Sequence, residues 1–169
     1  FVLIATGSSA LLSYLLLWGL IPWLRRQLLD QPNARSSHRI ATPRGGGVVF
    51  VLVGSLLNLA WGEGASAWIP LICCPLALVG LLDDRYDLPA GLRYAAQLAT
   101  ASALVAVAAV PLPVWALPVI VVAVTAVINF TNFMDGLDGL VALCGVVLMA
   151  AAGQWTVAGA LLGFLGWNW

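Results

Sequence analysis

The stretch 114–139, VWALPVIVVAVTAVINFTNFMDGLDG, carries no charge before Asp135 and turns polar at a steady interval, through Asn129, Asn132, Asp135 and Asp138. An uncharged run of about 20 residues is what a helix needs to cross the hydrocarbon of a bilayer. A spacing of three keeps Asn129, Asn132 and Asp135 along one side of that helix, drifting slowly in angle. Gly136 and Gly139 loosen the backbone around Asp138. Ionisable groups placed where hydrocarbon stops usually mark function.

The rest of the chain repeats this grammar. Of its 169 residues 62% are hydrophobic and 8% charged, which is the composition of a membrane protein rather than a soluble domain. Apolar runs mark spans near 1–24, 46–61, 66–82, 91–110, 114–131 and 139–153, and a seventh begins at Val157. The expectation is an all-α polytopic transmembrane protein with about seven helices, forming one integral-membrane domain over 1–169. The opening run is too long for a signal-peptide core, and no small-residue cleavage site separates it from Arg25 and Arg26, so it reads as a retained helix. The run from Val157 to Trp169 reaches only about 20 Å at 1.5 Å per residue, and Phe1 opens inside an apolar stretch. The expectation is therefore a piece of a longer protein, cut within helices at both ends.

All seven basic residues are Arg, at positions 25, 26, 35, 39, 44, 85 and 93, and alternating the spans puts every one on the same side. By the positive-inside rule that side is cytoplasmic, and the loop of about 25–46 lies there. Six of the seven acids share it; Glu63 alone falls on the opposite side. A net charge of zero thus hides a strong asymmetry, and nothing in it suggests nucleic-acid binding. Cys73, Cys74 and Cys144 fall inside spans, have no metal-type spacing with His, and read as small packing residues.

Two further clusters accompany the Asn/Asp series. In the first, Leu81-Leu82 ends directly in Asp83-Asp84, with Asp87 following. Carboxylates at a helix C-terminus sit in an unfavourable field, so either Arg85 and Arg93 neutralise them or a divalent cation or substrate proton does. In the second, Arg35, His38 and Arg39 precede Pro43-Arg44-Gly45-Gly46-Gly47, where a helix starts. Such a loop suits a phosphate through exposed N–H groups and forked Arg contacts, or it anchors the membrane while its glycines allow close packing. His38 by itself is more often a hydrogen-bonded loop residue than a catalyst, and its company raises the functional reading. Hard oxygen donors in the Asn/Asp series suit Mg²⁺, which takes one or two protein oxygens and completes its shell with water and phosphate. The alternative there is helix-to-helix hydrogen bonding by the two Asn.

Together the three segments resemble the polyprenyl-phosphate N-acetylhexosamine-1-phosphate transferases of glycosyltransferase family 4. That family includes phospho-MurNAc-pentapeptide translocase and the initiators of O-antigen and teichoic acid synthesis. Asp30-x-Pro-x-x-Arg35-x-x-His38 with Pro43-Arg44-Gly45-Gly46-Gly47 is similar to its first cytoplasmic loop, Asp83-Asp84-x-x-Asp87 to its aspartate-rich motif, and Asn129 through Gly139 to its nucleotide-site motif. The resemblance spans nearly the whole chain but only about the N-terminal two thirds of a family member. It implies ten or eleven spans in all, with a Gly-Asp loop and a His-bearing loop beyond Trp169.

The resemblance also implies a phosphotransferase that uses Mg²⁺, with Mn²⁺ as an alternative, to move an N-acetylhexosamine-1-phosphate from a UDP-N-acetylhexosamine to undecaprenyl phosphate, releasing UMP. It would act at the inner membrane, on the cytoplasmic face, in lipopolysaccharide or other cell-wall polysaccharide synthesis, and it admits a homodimer. Asp83 and Asp84 take the catalytic positions, with their division of roles left open; Asn132 becomes the Mg²⁺ ligand; and Arg35, His38, Arg44, Asp87, Asn129, Asp135 and Asp138 surround the substrates. The Arg35-Ser36-Ser37-His38 version looks more like the O-antigen initiators than the pentapeptide translocase, which is the alternative activity. Readings from other classes are a transporter or an inactive membrane scaffold. Transport usually needs its acids near the bilayer midplane, whereas these gather at one face.

Overall fold

The computed structural model describes residues 1–30, 41–62, 67–108, 111–134 and 139–168. Its elements in chain order are α1 (Val2–Gln27), β1 (Leu29–Asp30), β2 (Thr42–Pro43), α2 (Gly47–Trp61), α3 (Ile69–Ile72), α4 (Cys74–Tyr86), α5 (Ala90–Ala108), α6 (Ala116–Met134), α7 (Leu140–Ala151) and α8 (Trp155–Leu165). The protein is an all-α membrane protein. Its strands are a two-residue antiparallel ladder, Leu29 opposite Pro43 and Asp30 opposite Thr42, that closes the base of the first polar loop. By length and composition α1 and α6 can each cross a bilayer. On α6 only Thr125 is buried, while Val119, Val122, Val127, Phe130 and Phe133 stand exposed. Such a surface suits lipid or other helices, not water.

The expected spans are present with three differences. The third is broken at Cys73 into α3 and α4, each with a proline in its first two positions, Pro70 and Pro75. Pro75 has no N–H to return to Leu71, so the ladder of helix bonds is interrupted there. The fifth runs on to Met134, three residues past the expected end, and carries Asn129 and Asn132 within the helix as their spacing requires. The sixth and seventh are short: α7 has 12 residues and α8 has 11, about 16–18 Å each, joined through Gly153 at φ 73°.

The helices pack around α8, which buries most of its residues. Facing it on α1 are Ala5, Ser9 and Ser13, spaced by four along one stripe and almost fully buried. A Cβ on Gly159 would collide with the Thr6 carbonyl, and one on Gly163 with the Ala10 carbonyl, so the two backbones touch. In lipid, where burial of apolar surface gives helices no drive to associate, such close approach is how they hold together. On the next face of α8, Ala160 packs with Leu17, Val49 and Val53, bringing α2 into the same core.

Cross-contacts sort the helix ends into two groups. At one, Phe1 lies edge-on to Trp61, and Thr156 Oγ1 donates 2.8 Å to a buried Asn58 Oδ1. At the other, Arg85 donates to Gln27 Oε1 at 3.0 Å, joining the ends of α4 and α1. Arg25, Arg26, Arg44, Arg85 and Arg93 therefore share one end, as the alternation of spans requires. Of the cysteines, Cys74 meets Ser55 at 3.4 Å and Cys73 is half-buried, consistent with packing, while Cys144 is exposed on α7.

The α1–α8 seam makes a direct prediction. Gly163→Ala should destabilise the protein by about 1–3 kcal/mol, since overpacking displaces backbone. Gly7→Ala, in the same pair of helices but with nothing within 4 Å of the added Cβ, should be neutral or stabilising by up to about 1 kcal/mol. Thermal unfolding of the two variants in detergent checks both.

Candidate active site

The acidic cluster is organised by Asp83. Its Oδ1 accepts the Leu88 N–H at 2.9 Å and its Oδ2 accepts Arg93 Nη1 at 2.9 Å. The carboxylate thus ties the end of α4 to the first turn of α5 across a three-residue link. Between the neutralising partners considered for these acids, Arg93 is the one on Asp83, while Arg85 lies over the ring of Tyr86 and reaches Gln27. The pair is partly shielded, with the Asp83 side chain 21% exposed and that of Arg93 39%. Asp84 is exposed beside it.

Asp87 occupies a different role in the same turn. It caps α4 in the left-handed region at φ 49°, its N–H donating to the Asp83 carbonyl at 2.9 Å. Asp is among the few residues besides Gly that accept this conformation, and Pro89 then prevents α4 from continuing.

Antiparallel to α5 runs α6, and its polar end meets Arg93. Arg93, Tyr94 and Gln97 of α5 together with Asn129, Asn132 and Phe133 of α6 line an open cavity of about 350 Å³. The structure therefore brings Asn129 and Asn132 to one cavity and connects Asp83 to it through Arg93. A cation, three amides and a phenol suit a ligand that is anionic at one point and hydrogen-bonding around it. For Mg²⁺ the donor chemistry is compatible: two amide oxygens on one helical face, with no competing soft ligand. Among the described residues no three of His, Cys, Asp and Glu cluster as a protein-only metal cage.

Arg44 reaches this end by another route. Its N–H donates to the Leu28 carbonyl at 2.8 Å, extending the ladder, and its side chain is exposed. Gly45, at φ 81°, fits where a Cβ would lie 2.6 Å from Leu81 Cδ1 of α4, and Gly46 sits against Phe164 and Leu17. At these two positions the glycines serve close packing, the second of the readings open to them. The result fastens the loop's exit two residues from Asp83. Arg35, His38, Asp135 and Asp138 lie outside the described residues.

A family model described as Glycosyl transferase family 4 matches residues 67–169, more than half of the chain and including α4 to α8. The chain belongs to glycosyl transferase family 4. Within it, the chain is 38% identical over 80 residues to a phospho-N-acetylmuramoyl-pentapeptide-transferase of Synechococcus sp. (strain JA-2-3B'a(2-13)). That match covers 46% of this chain and 24% of the relative, so the chain spans well under half of that protein in the aligned part. No solved structure matches.

Sequence reasoning named Arg93 only as a counter-ion and passed over Tyr94 and Gln97. Their signal was present: Arg93 and Gln97 are four apart, hence on one helical face, and Gln97 is an amide inside an apolar run.

The αL turn supplies a test of this geometry. Asp87→Gly should leave stability unchanged or slightly raised, whereas Asp87→Val should lower it by about 1–2 kcal/mol. Chemical or thermal unfolding of both in detergent distinguishes a conformational requirement from a charge requirement.

Proposed function

We propose that the protein carries out Mg²⁺-dependent transfer of an N-acetylhexosamine-1-phosphate from a UDP-sugar to undecaprenyl phosphate, releasing UMP, at the cytoplasmic face of a bacterial inner membrane. The observation that carries this reading is the junction of Asp83, Arg93, Asn129 and Asn132 at one end of the α4–α6 bundle, in a chain of this transferase family. Residues 1–169 act as part of one integral-membrane transferase domain, with the loop of about 25–46 on the cytoplasmic side.

The reaction joins two phosphates, and each repels the other. Arg93 lines the cavity where they would meet, and its fork can hold a phosphate oxygen while still paired with Asp83. Asp83 and Asp84 stand where a lipid phosphate arriving along the membrane would present its proton, and either can take it. Asn132 would hold Mg²⁺ through its amide oxygen, with Asn129 beside it and Asp135 and Asp138 following in the same motif. When bound, the ion supplies charge neutralisation for the exchanging phosphates. Arg35, His38, Arg44 and Asp87 are proposed to border the nucleotide and its diphosphate.

Two donors deserve equal trial. The Arg35-Ser36-Ser37-His38 loop favours an O-antigen or teichoic-acid type of UDP-N-acetylhexosamine, whereas the Synechococcus relative, by its name, favours UDP-MurNAc-pentapeptide. The gathering of the charged groups at one helix end argues against a transport path, which needs them deep between the spans.

The experiment is UMP release by the full-length protein in detergent, with undecaprenyl phosphate and a panel containing both donor types. Release that disappears with EDTA and returns with Mg²⁺ is expected. Asp83→Asn should lower kcat by about 100-fold or more while inserting normally, in keeping with loss of an acid–base group. Full turnover by that variant would remove Asp83 from the catalytic role, and silence with every donor would remove the transferase reading.

A further inference from the structure

Gln97 is the most deeply placed polar group of the cavity. Only 7% of it is exposed, yet its Oε1 is buried without a hydrogen-bond partner. A buried amide oxygen left without a donor is destabilising. Functional sites are where such a cost persists, because the partner arrives with a ligand.

Its surroundings limit what the ligand is. Arg93 lies one helical turn nearer the start of α5, about 6 Å along the axis, and lines the same cavity. Asn129 and Asn132 face it from α6. A group reaching Gln97 past Arg93 therefore carries a phosphate at the cation and a hydrogen-bond donor a few ångströms beyond it.

We infer that Gln97 is a substrate-contacting residue of this cavity, accepting a hydrogen bond at Oε1 from an O–H or N–H adjacent to a phosphate held by Arg93. The inference rests on the transferase reading of the same site and goes beyond it by naming the residue that reads the neutral part of a substrate. Two sources share this chemistry: a hydroxyl or acetamido N–H of the sugar next to its 1-phosphate, and the P–OH of a singly ionised lipid monophosphate.

The test is Gln97→Leu, with Gln97→Met as a second variant of similar volume, in the full-length protein. Thermal unfolding is measured alongside separate KM values for the UDP-sugar and for undecaprenyl phosphate. Expected is an unchanged or raised Tm, because an unsatisfied amide leaves an apolar helix, together with a rise on the order of tenfold in one KM. A rise for the UDP-sugar assigns the contact to the sugar; a rise for undecaprenyl phosphate assigns it to the lipid phosphate. A Tm lowered by several degrees in both variants would show a structural partner and overturn the inference. So would unmoved KM values in enzymes that turn over, leaving cavity water as the only partner. Absence of turnover in the parent protein with every donor is the separate failure, which removes the transferase reading and the inference with it.

Discussion

Everything at the polar end depends on how closely α1 and α8 approach. Lipid tails are as apolar as leucine, so two helices gain by contact only through dispersion and hydrogen bonding, both of which fall off within an ångström or so. Ala5, Ser9 and Ser13 on one side and Gly159 and Gly163 on the other bring backbone against backbone. With α8 fixed, Ala160 and Val53 seat α2 against it, and Gly54 lies against Val157. The start of α2 then lies against α1, and Gly45, set among Leu24, Leu28 and Leu81, lets the last turns of α4 pack against the end of α1. The position of Asp83 is thus inherited, step by step, from contacts made mostly at small residues and glycines.

The acids add a constraint of the opposite kind. Asp83 and Asp84 end an apolar helix at the pole where carbonyl partial charge already repels them. Asp83 is held there by two donors, the Leu88 N–H and the Arg93 guanidinium, so the carboxylate that the chemistry would use also ties α4 to α5. Arg93 in turn has one edge on Asp83 and a place on the cavity wall. Structure and chemistry are coupled through this one cation.

How much of this the sequence disclosed follows from the kind of signal each feature leaves. Span number and alternation were legible because hydrocarbon demands long uncharged runs and leaves Arg on one side. The three polar clusters were legible because charge is rare in such a chain. The break at Cys73 had a marker in Pro75, yet hydropathy alone runs smoothly across 66–82 and conceals it. The use of Gly45 and Gly46 stayed open between anion binding and packing, because both need the same missing side chain; only the positions of Leu81 and Phe164 speak for packing there. Gln97 was missed because it is neutral, single and outside any motif, and its meaning depends on α6 lying opposite, which no spacing within α5 reveals.

The buried polar atoms without partners extend the same reasoning. Among the described residues they belong to Thr6, Ser13, Gln97 and Gln154. Thr6 and Ser13 lie on α1 along the seam with α8, where a hydroxyl is tolerated because it is scarcely larger than the methyl it replaces and leaves the close approach intact. Gln97 and Gln154 have no such reason. A longer apolar side chain would fill their places on an apolar helix or at its end, yet each instead lines a cavity, one at either group of helix ends. Gln154 shares its cavity with Asn58 and Thr156, which satisfy each other, and with the rings of Trp61 and Trp155, an arrangement expected where a helix bundle meets the membrane interface. Gln97 shares its cavity with a guanidinium and two further amides. The same side chain therefore has different company at the two ends: indole rings and neutral polar groups at the first, a guanidinium at the second.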